Sequence, residues 1–127
     1  MKILGIDWGE RKMGLATSEG QLVSPAGVFF NTKNAVLKLA EFCQRERVEK
    51  IVIGIAEGKV AQKQKEFGEK IAKACGLPVE FWDETLTSRE AVQKMIEIGK
   101  KRKSRRLEDA ISAALILQSY LDSQKVV

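Results

Sequence analysis

The first thirty residues alternate between short apolar runs and polar breaks, which is the pattern of strands joined by tight turns. One apolar run covers residues 2–8, and a second follows over residues 13–17. A third run, residues 21–30, contains Pro25, which cannot donate a hydrogen bond to a neighbouring strand. We therefore expect three consecutive hairpin-linked strands, the third at a sheet edge or carrying a bulge.

Beyond these strands the hydrophobic period lengthens, and helices alternate with buried strands. The expected elements are an amphipathic helix that begins near Thr32, a strand over residues 50–55, a helix over 61–74, a strand over 79–83, and two helices over 88–98 and 107–121. Because hairpins join antiparallel strands and helical crossovers join parallel ones, this order predicts an α/β fold. Its mixed five-stranded sheet would have three antiparallel strands, then parallel strands, flanked by helices. A length of 127 residues suits one domain over residues 1–127.

The composition excludes several classes of protein. No apolar run approaches the roughly 18 residues of a membrane span, and the N-terminus lacks a signal-peptide pattern, so we expect a cytoplasmic protein without a membrane partner. Cys43 and Cys75 have no CxxC or Cys/His spacing, so we expect two reduced, mostly buried thiols. The chain has no histidine, so catalysis must depend on carboxylates, Lys, Ser/Thr or metal.

The positive charge is concentrated in one predicted loop, residues 99–106. The net charge is +5, and six cations in this loop more than account for it: Lys100, Lys101, Arg102, Lys103, Arg105 and Arg106. Such a patch is typical of phosphate binding. We expect a loop that becomes ordered on nucleic acid; the alternative is a solvated charged loop without a ligand.

Acidic residues stand at the ends of several predicted elements. Asp7 ends the first apolar strand, where a carboxylate is costly unless a cation or donors meet it, so it is either a metal ligand or a turn cap. Asp83 and Glu84 close the last strand, where alternation lets only one of them face a given site. The alternative is that both acids only stabilise the positive N-terminal end of the following helix. Asp109 lies on the packed face of the last helix, whereas a charge that only stabilises the helix N-terminus fits Glu108 better.

Acids from three separated segments can converge on divalent ions, and oxygen-only ligation favours Mg²⁺ or Mn²⁺. Two such ions, roughly 3.5–4 Å apart, would activate water and stabilise the leaving oxygen of a phosphodiester. Trp8 and Trp82 each adjoin a candidate acid. We expect both rings to pack in the core, with stacking on a nucleic-acid base as the alternative.

Four motifs, in order over nearly the whole chain, together resemble the YqgF/RuvX family. They are GIDWGERKMGLA at residues 5–16, VIG at 52–54, WDETLTS at 82–88 and LEDAISAALILQ at 107–118. The resemblance implies an RNase H-like fold and a nuclease that hydrolyses phosphodiester bonds. It implies that Asp7, Glu84 and Asp109 are the catalytic, metal-binding acids, with Asp83 as the alternative to Glu84. The implied function is maturation of the 5′ end of pre-16S rRNA, with Holliday junction resolution as the alternative.

The sequence departs from the family pattern at two places. Thr85 stands where the family usually has arginine, so that cationic phosphate contact is either missing or supplied by Arg89 or Arg11. The loop after the central strand is altered, and Glu57 within it is a further candidate ligand. The sequence therefore does not decide which of these acids complete the metal-ligand set.

Other classes of protein fit parts of the pattern. An actin-like phosphotransferase has a similar phosphate-binding turn but needs two lobes, for which this chain is too short. A non-catalytic RNA-binding factor of ribosome assembly would keep the fold and the basic loop without cutting. If the protein is a nuclease, its nucleic-acid partner is either precursor rRNA or branched DNA. Symmetric cleavage of a junction would need a homodimer, and the sequence shows no surface for one.

Overall fold

The computed structural model describes residues 1–84 and 105–124, with the backbone alone for residues 105–107. Its strands and helices, in chain order, are β1 Lys2–Asp7, β2 Lys12–Glu19, β3 Leu22–Phe30, α1 Ala35–Arg45, β4 Lys50–Ile55, α2 Val60–Cys75, β5 Val79–Asp83 and α3 Arg105–Ser123. Within the described part of the chain, no helix is both long and apolar enough to cross a membrane. The predicted helix over residues 88–98 lies outside the described residues.

The five strands form one mixed sheet in the order β3-β2-β1-β4-β5. β1 pairs antiparallel with β2, and β2 with β3. β4 runs parallel to β1 on one side and to β5 on the other. The predicted sheet is confirmed, and it brings the carboxyl ends of β1, β4 and β5 to one edge.

β3 is an edge strand and also carries an irregularity at its proline. Leu15 of β2 pairs with Gly27, but the next residue, Ala16, pairs with Pro25, so Ala26 is the extra residue of a bulge. Gly27 has φ +132°, a conformation that side-chain-bearing residues rarely adopt. Both expectations for the proline-containing strand, an edge position and a bulge, are confirmed.

Helices cover both faces of the sheet, and each face has its own core cluster. Even-numbered β1 residues such as Leu4 and Ile6 pack with α1 and α2, and odd-numbered ones such as Ile3 pack with α3. β4 is buried on both faces, which explains its continuous apolar run. Trp8 packs against Phe67 in the first cluster, as expected for a core ring.

The remaining expectations for side-chain packing are also met. Trp82 packs edge-on against Tyr120 and donates a hydrogen bond to Ser119 Oγ at 3.0 Å. Cys43 is buried, Cys75 is half-buried, and both are free thiols. The two thiols are neighbours across α1 and α2, and burial raises the pKa of Cys43 to about 12.

The predicted basic loop is wrong at its C-terminal end. α3 begins at Arg105, so Arg105 and Arg106 belong to its first turn rather than to a loop. Arginine is a good helix former, so a charged residue does not by itself end a helix. The other four cations, residues 100–103, lie outside the described residues.

Candidate active site

Asp7 is the last residue of β1, and its side chain lies on the α3 face of the sheet. Two residues earlier, a Cβ on Gly5 would stand 2.9 Å from Leu117 Cβ of α3. Because side chains alternate along a strand, Asp7 shares that face. In the antiparallel ladder Asp7 pairs with Gly14. The strand end therefore presents a carboxylate beside the first turns of α3.

Glu84 approaches Asp7 across the end of β4. It follows β5, whose carboxyl end lies at the same sheet edge as the end of β1. Between them, β4 carries Gly54, where a Cβ would stand 2.9 Å from Glu84 Oε1. A larger residue at position 54 would take the space that the Glu84 side chain occupies, so this glycine positions the acid.

Asp83 faces the other way. Phe81 lies against Gly68 of α2, whereas Trp82 packs in the α3 cluster. By alternation Asp83 shares the face of Phe81, and Glu84 shares the face of Trp82 and Asp7. Of the two adjacent acids, the pleat thus favours Glu84 as the partner of Asp7.

The carboxyl groups of Asp7 and Glu84 are hydrogen-bonded to each other, which requires a proton on one of them. Burial raises the pKa of Asp7 to about 8, and the charges of Glu84 and Asp109 act in the same direction. Burial also raises the pKa of Glu84, against the hydrogen bond from Asp7, which lowers it. At neutral pH the pair therefore holds one proton where a cation would otherwise compensate its charge.

Asp109 is brought to the site by a close contact between α3 and β2. A Cβ on Gly14 would stand only 1.9 Å from the carbonyl oxygen of Asp109, so no other residue fits there without moving the helix. Since Gly14 is also the ladder partner of Asp7, this contact places the first turns of α3 beside the end of β1. Asp109 contributes to the field that raises the pKa of Asp7.

Lys12, the first residue of β2, holds the side chain of Asp109. Lys12 Nζ lies 2.9 Å from Asp109 Oδ2. The same oxygen is buried without a partner in hydrogen-bond geometry, so the contact is an ion pair and not an aligned hydrogen bond. The Lys12 side chain is 41% exposed and that of Asp109 is 29% exposed, so water can reach the pair.

Asp7 and Asp109 line a shallow depression of about 430 Å³, together with the turn between β1 and β2. Arg11 is exposed in this lining, and its contact with phosphate stays a prediction. Glu10, also in the lining, is paired with Lys63 of α2 at 2.6 Å.

The carboxylate oxygens of the candidate acids suit a hard divalent cation, but three such groups are not arranged around a common point. Among residues 1–84 and 105–124, no three Asp, Glu or Cys side chains are placed to hold an ion together. Glu84 Oε1, however, is buried without a hydrogen-bond partner, and the pKa of Asp7 beside it is raised. Because a buried unpaired acceptor is costly, a cation between Asp7 and Glu84 would satisfy both groups. The residues fit a metal site there, with Asp109 adjacent and held by Lys12.

Sequence reasoning placed the acids but missed what positions them. The contact of Lys12 with Asp109 and the space left by Gly54 were not foreseen. A glycine inside a β-branched strand is a usable signal, since it often marks a close approach of another group. Glu57, the further candidate ligand, is exposed after β4.

Solved structures with the same arrangement of strands and helices define the class of fold. The fowlpox virus resolvase with its Holliday junction DNA matches with a TM-score of 0.70 and 15% identity, over 99% of this chain and 100% of that one. RuvC of Thermus thermophilus, in complex with a Holliday junction, matches with a TM-score of 0.65 and 17% identity, over 99% and 98% of the two chains. The protein has the RNase H-like fold.

The chain belongs to the RuvX family. That family's model, described as Holliday junction resolvase, matches residues 1–123. Two relatives carry the name "Putative pre-16S rRNA nuclease". The one from Agathobacter rectalis is 35% identical over 96% of this chain and 95% of its own length. The one from Syntrophomonas wolfei is 37% identical over 96% of this chain and 94% of its own.

Proposed function

We propose that this protein is a metal-dependent endonuclease that hydrolyses phosphodiester bonds in structured nucleic acid, with Asp7, Glu84 and Asp109 as its catalytic acids. The observation that carries the proposal is the half-buried pair of carboxyl groups at the ends of β1 and β5, in which Glu84 Oε1 is buried without a partner. Burying such a pair without a cation destabilises a fold. In a site that binds divalent ions and phosphate, the same pair of carboxylates would serve as metal ligands.

The metal would be Mg²⁺ or Mn²⁺, held by Asp7 and Glu84, with Asp109 as the third ligand, because the donors are all oxygens. When bound, such ions supply a water nucleophile at neutral pH and stabilise charge on the leaving oxygen. The chain's own residues position the groups. Gly54 and Gly14 fix where the carboxylates lie, and Arg11 pairs with phosphate oxygens in the depression.

The first candidate substrate is the 5′ end of pre-16S rRNA, which is supported by the names of the relatives. A protein with this substrate would act in the cytoplasm. The second candidate is a Holliday junction, supported by the description of the family model. Cutting both arms of a junction symmetrically needs two active sites, so this alternative requires a homodimer.

The family match over residues 1–123 supports a single domain over residues 1–127.

The test offers purified protein two substrates side by side, pre-16S rRNA fragments and four-way DNA junctions. We expect cleavage with Mg²⁺ or Mn²⁺, loss of cleavage in EDTA, and no turnover with Ca²⁺, which is larger and binds with looser geometry. Asp7→Asn protein prepared in parallel controls for contaminating nucleases. Undiminished cleavage in EDTA would contradict the metal mechanism, and binding without cleavage of either substrate would favour the non-catalytic RNA-binding alternative.

A further inference from the structure

The backbone that carries Lys12 is fixed in place, so the position of its ammonium group is a built feature of the site. Asn31 holds the preceding turn twice: its N–H donates to Arg11 O at 2.8 Å, and its side-chain amide donates to Gly9 O at 2.9 Å. A Cβ on Gly9 would stand 2.7 Å from Lys12 O, so the turn is also sterically tight. Only the lysine side chain is left free to move.

The carboxylate that Lys12 contacts is equally constrained at its backbone. The carbonyl of Asp109 lies directly over Gly14, two residues along β2 from Lys12. The 2.9 Å contact between Lys12 Nζ and Asp109 Oδ2 therefore joins two flexible side chains on rigid supports. A partly exposed ion pair of this kind contributes little to stability, so a competing cation can displace it.

We propose that Lys12 is the counter-ion of Asp109 in the metal-free site, and that a divalent cation must displace its ammonium group before Asp109 can bind metal. The inference rests on the proposed function, since it takes Asp109 to be a metal ligand. It accounts for the arrangement of the described acids, in which Asp7 and Glu84 are joined while Asp109 is turned to the lysine. Lys12 thereby sets how much divalent cation the site requires.

The experiment measures Mn²⁺ affinity by calorimetry for the wild-type protein and Lys12→Met, without nucleic acid. Removing the ammonium group should make Mn²⁺ binding about tenfold tighter, because the cation no longer has to break the attraction between Lys12 and Asp109 before Asp109 can bind it. Metal-free Lys12→Met should melt close to the wild-type temperature, because a partly exposed ion pair contributes little to stability.

Three further variants separate this effect from charge removal in general. Lys63→Met removes the lysine that pairs with Glu10 beside the same turn and should change Mn²⁺ affinity by less than twofold, since exposed charges are well screened. Lys12→Arg keeps the charge and should bind Mn²⁺ like wild type. In an Asp109→Asn background, Lys12→Met should no longer tighten binding, because the pair is already broken.

Lys12→Met that binds Mn²⁺ no more tightly than Lys63→Met overturns the inference. If the wild-type protein binds Mn²⁺ and cleaves nucleic acid in that case, the proposed nuclease function stands without it. If neither wild type nor Lys12→Met binds Mn²⁺, the metal site itself is wrong, and both proposals fail together.

Discussion

Asp7 is the residue at which stability and the proposed chemistry conflict. Its pKa is raised from 3.8 to about 8 by burial and by the neighbouring acids. An acid whose pKa is higher in the folded state binds more protons there than in the unfolded state. The contribution of Asp7 to the stability of the metal-free protein therefore falls as the pH rises from about 4 to about 8, and it is greatest at the acid end of that window.

Asp7→Asn should remove this pH dependence and abolish cleavage at the same time, because the amide keeps the shape and loses the charge. In EDTA at pH 8 we expect the variant to be more stable than wild type by roughly 1–3 kcal/mol, as for active-site residues that trade stability for function. At pH 5 the difference should shrink. Urea unfolding at both pH values measures it, with the exposed Glu41→Gln as control. A variant less stable than wild type at pH 8 would contradict the argument.

The adjacent acids after β5 give a second test at single-residue resolution. Glu84→Gln should lower the cleavage rate by at least about a hundredfold, as expected for loss of a group that acts directly at the reacting centre. Asp83→Asn, on the opposite face of the strand, should be much milder. Single-turnover rates with saturating Mn²⁺ decide between them. The reverse pattern would show that Asp83 is the ligand and that the strand twists at its end.

Residue identity alone could indicate Asp7 and Asp109, because an acid on an otherwise apolar strand end or helix face needs a reason to be there. Choosing Glu84 over Asp83 by the residues alone was impossible, since alternation says only that the two differ. The structure adds the packing of Phe81 and Trp82 on opposite faces, which supports the choice. Lys12 was missed because its partner is distant in sequence and no local pattern links them.

At the scale of elements, the site depends on how closely α3 approaches the sheet. The helix crosses β1 and β2 at two glycines, Gly5 and Gly14, where its backbone comes nearest. At Gly5 an added Cβ would meet Leu117 Cβ at 2.9 Å and the carbonyl oxygen of Ala113 at 3.2 Å, both farther along the helix than Asp109. At Gly14 it would meet the carbonyl of Asp109 at 1.9 Å, which only movement of the helix can relieve.

Gly14→Ala should therefore push the first turns of α3 away from β2 and impair the site. We expect a loss of at least about 3 kcal/mol in unfolding free energy, the upper end for overpacking, together with weaker Mn²⁺ binding. Gly5→Ala is the matched comparison on the same helix: it should cost about 1–2 kcal/mol and leave Mn²⁺ affinity near wild type. Equal Mn²⁺ affinity in the two variants would show that Asp109 does not depend on this contact.

The bounds of an element were predictable where residues that interrupt strands or helices flank an apolar run. β4 and β5 have the predicted bounds, 50–55 and 79–83, because polar, glycine or proline residues flank a short buried strand. The start of α3 was predicted too late, at 107 instead of Arg105, because a run of charges was taken for a loop. Charge does not end a helix, and its first turn is set by packing that the local sequence does not show.

Across the whole molecule, charge is divided between a site made of acids and a basic segment, residues 100–106, that ends in the first turn of α3. The six cations of residues 100–106 exceed the net charge of +5, so the remainder of the chain is close to neutral. A metal-dependent nuclease needs both regions, because cationic side chains bind the phosphates of the nucleic acid and carboxylates hold the metal. That the basic segment binds nucleic acid stays a prediction from the sequence.

Replacing residues 100–103 together by Gln or Ser tests that prediction. If these four cations contact about three phosphates, the slope of log K against log[salt] should fall by roughly 2–3 units, at about 0.7–0.9 per phosphate. The loss should be similar for unrelated sequences, because phosphate contacts do not read bases. The control replaces exposed lysines of α1 and α2, Lys38, Lys65 and Lys73, and should leave the slope near wild type. An unchanged slope in the segment variant would make the segment a solvated connector and move the binding surface to the turn that carries Arg11.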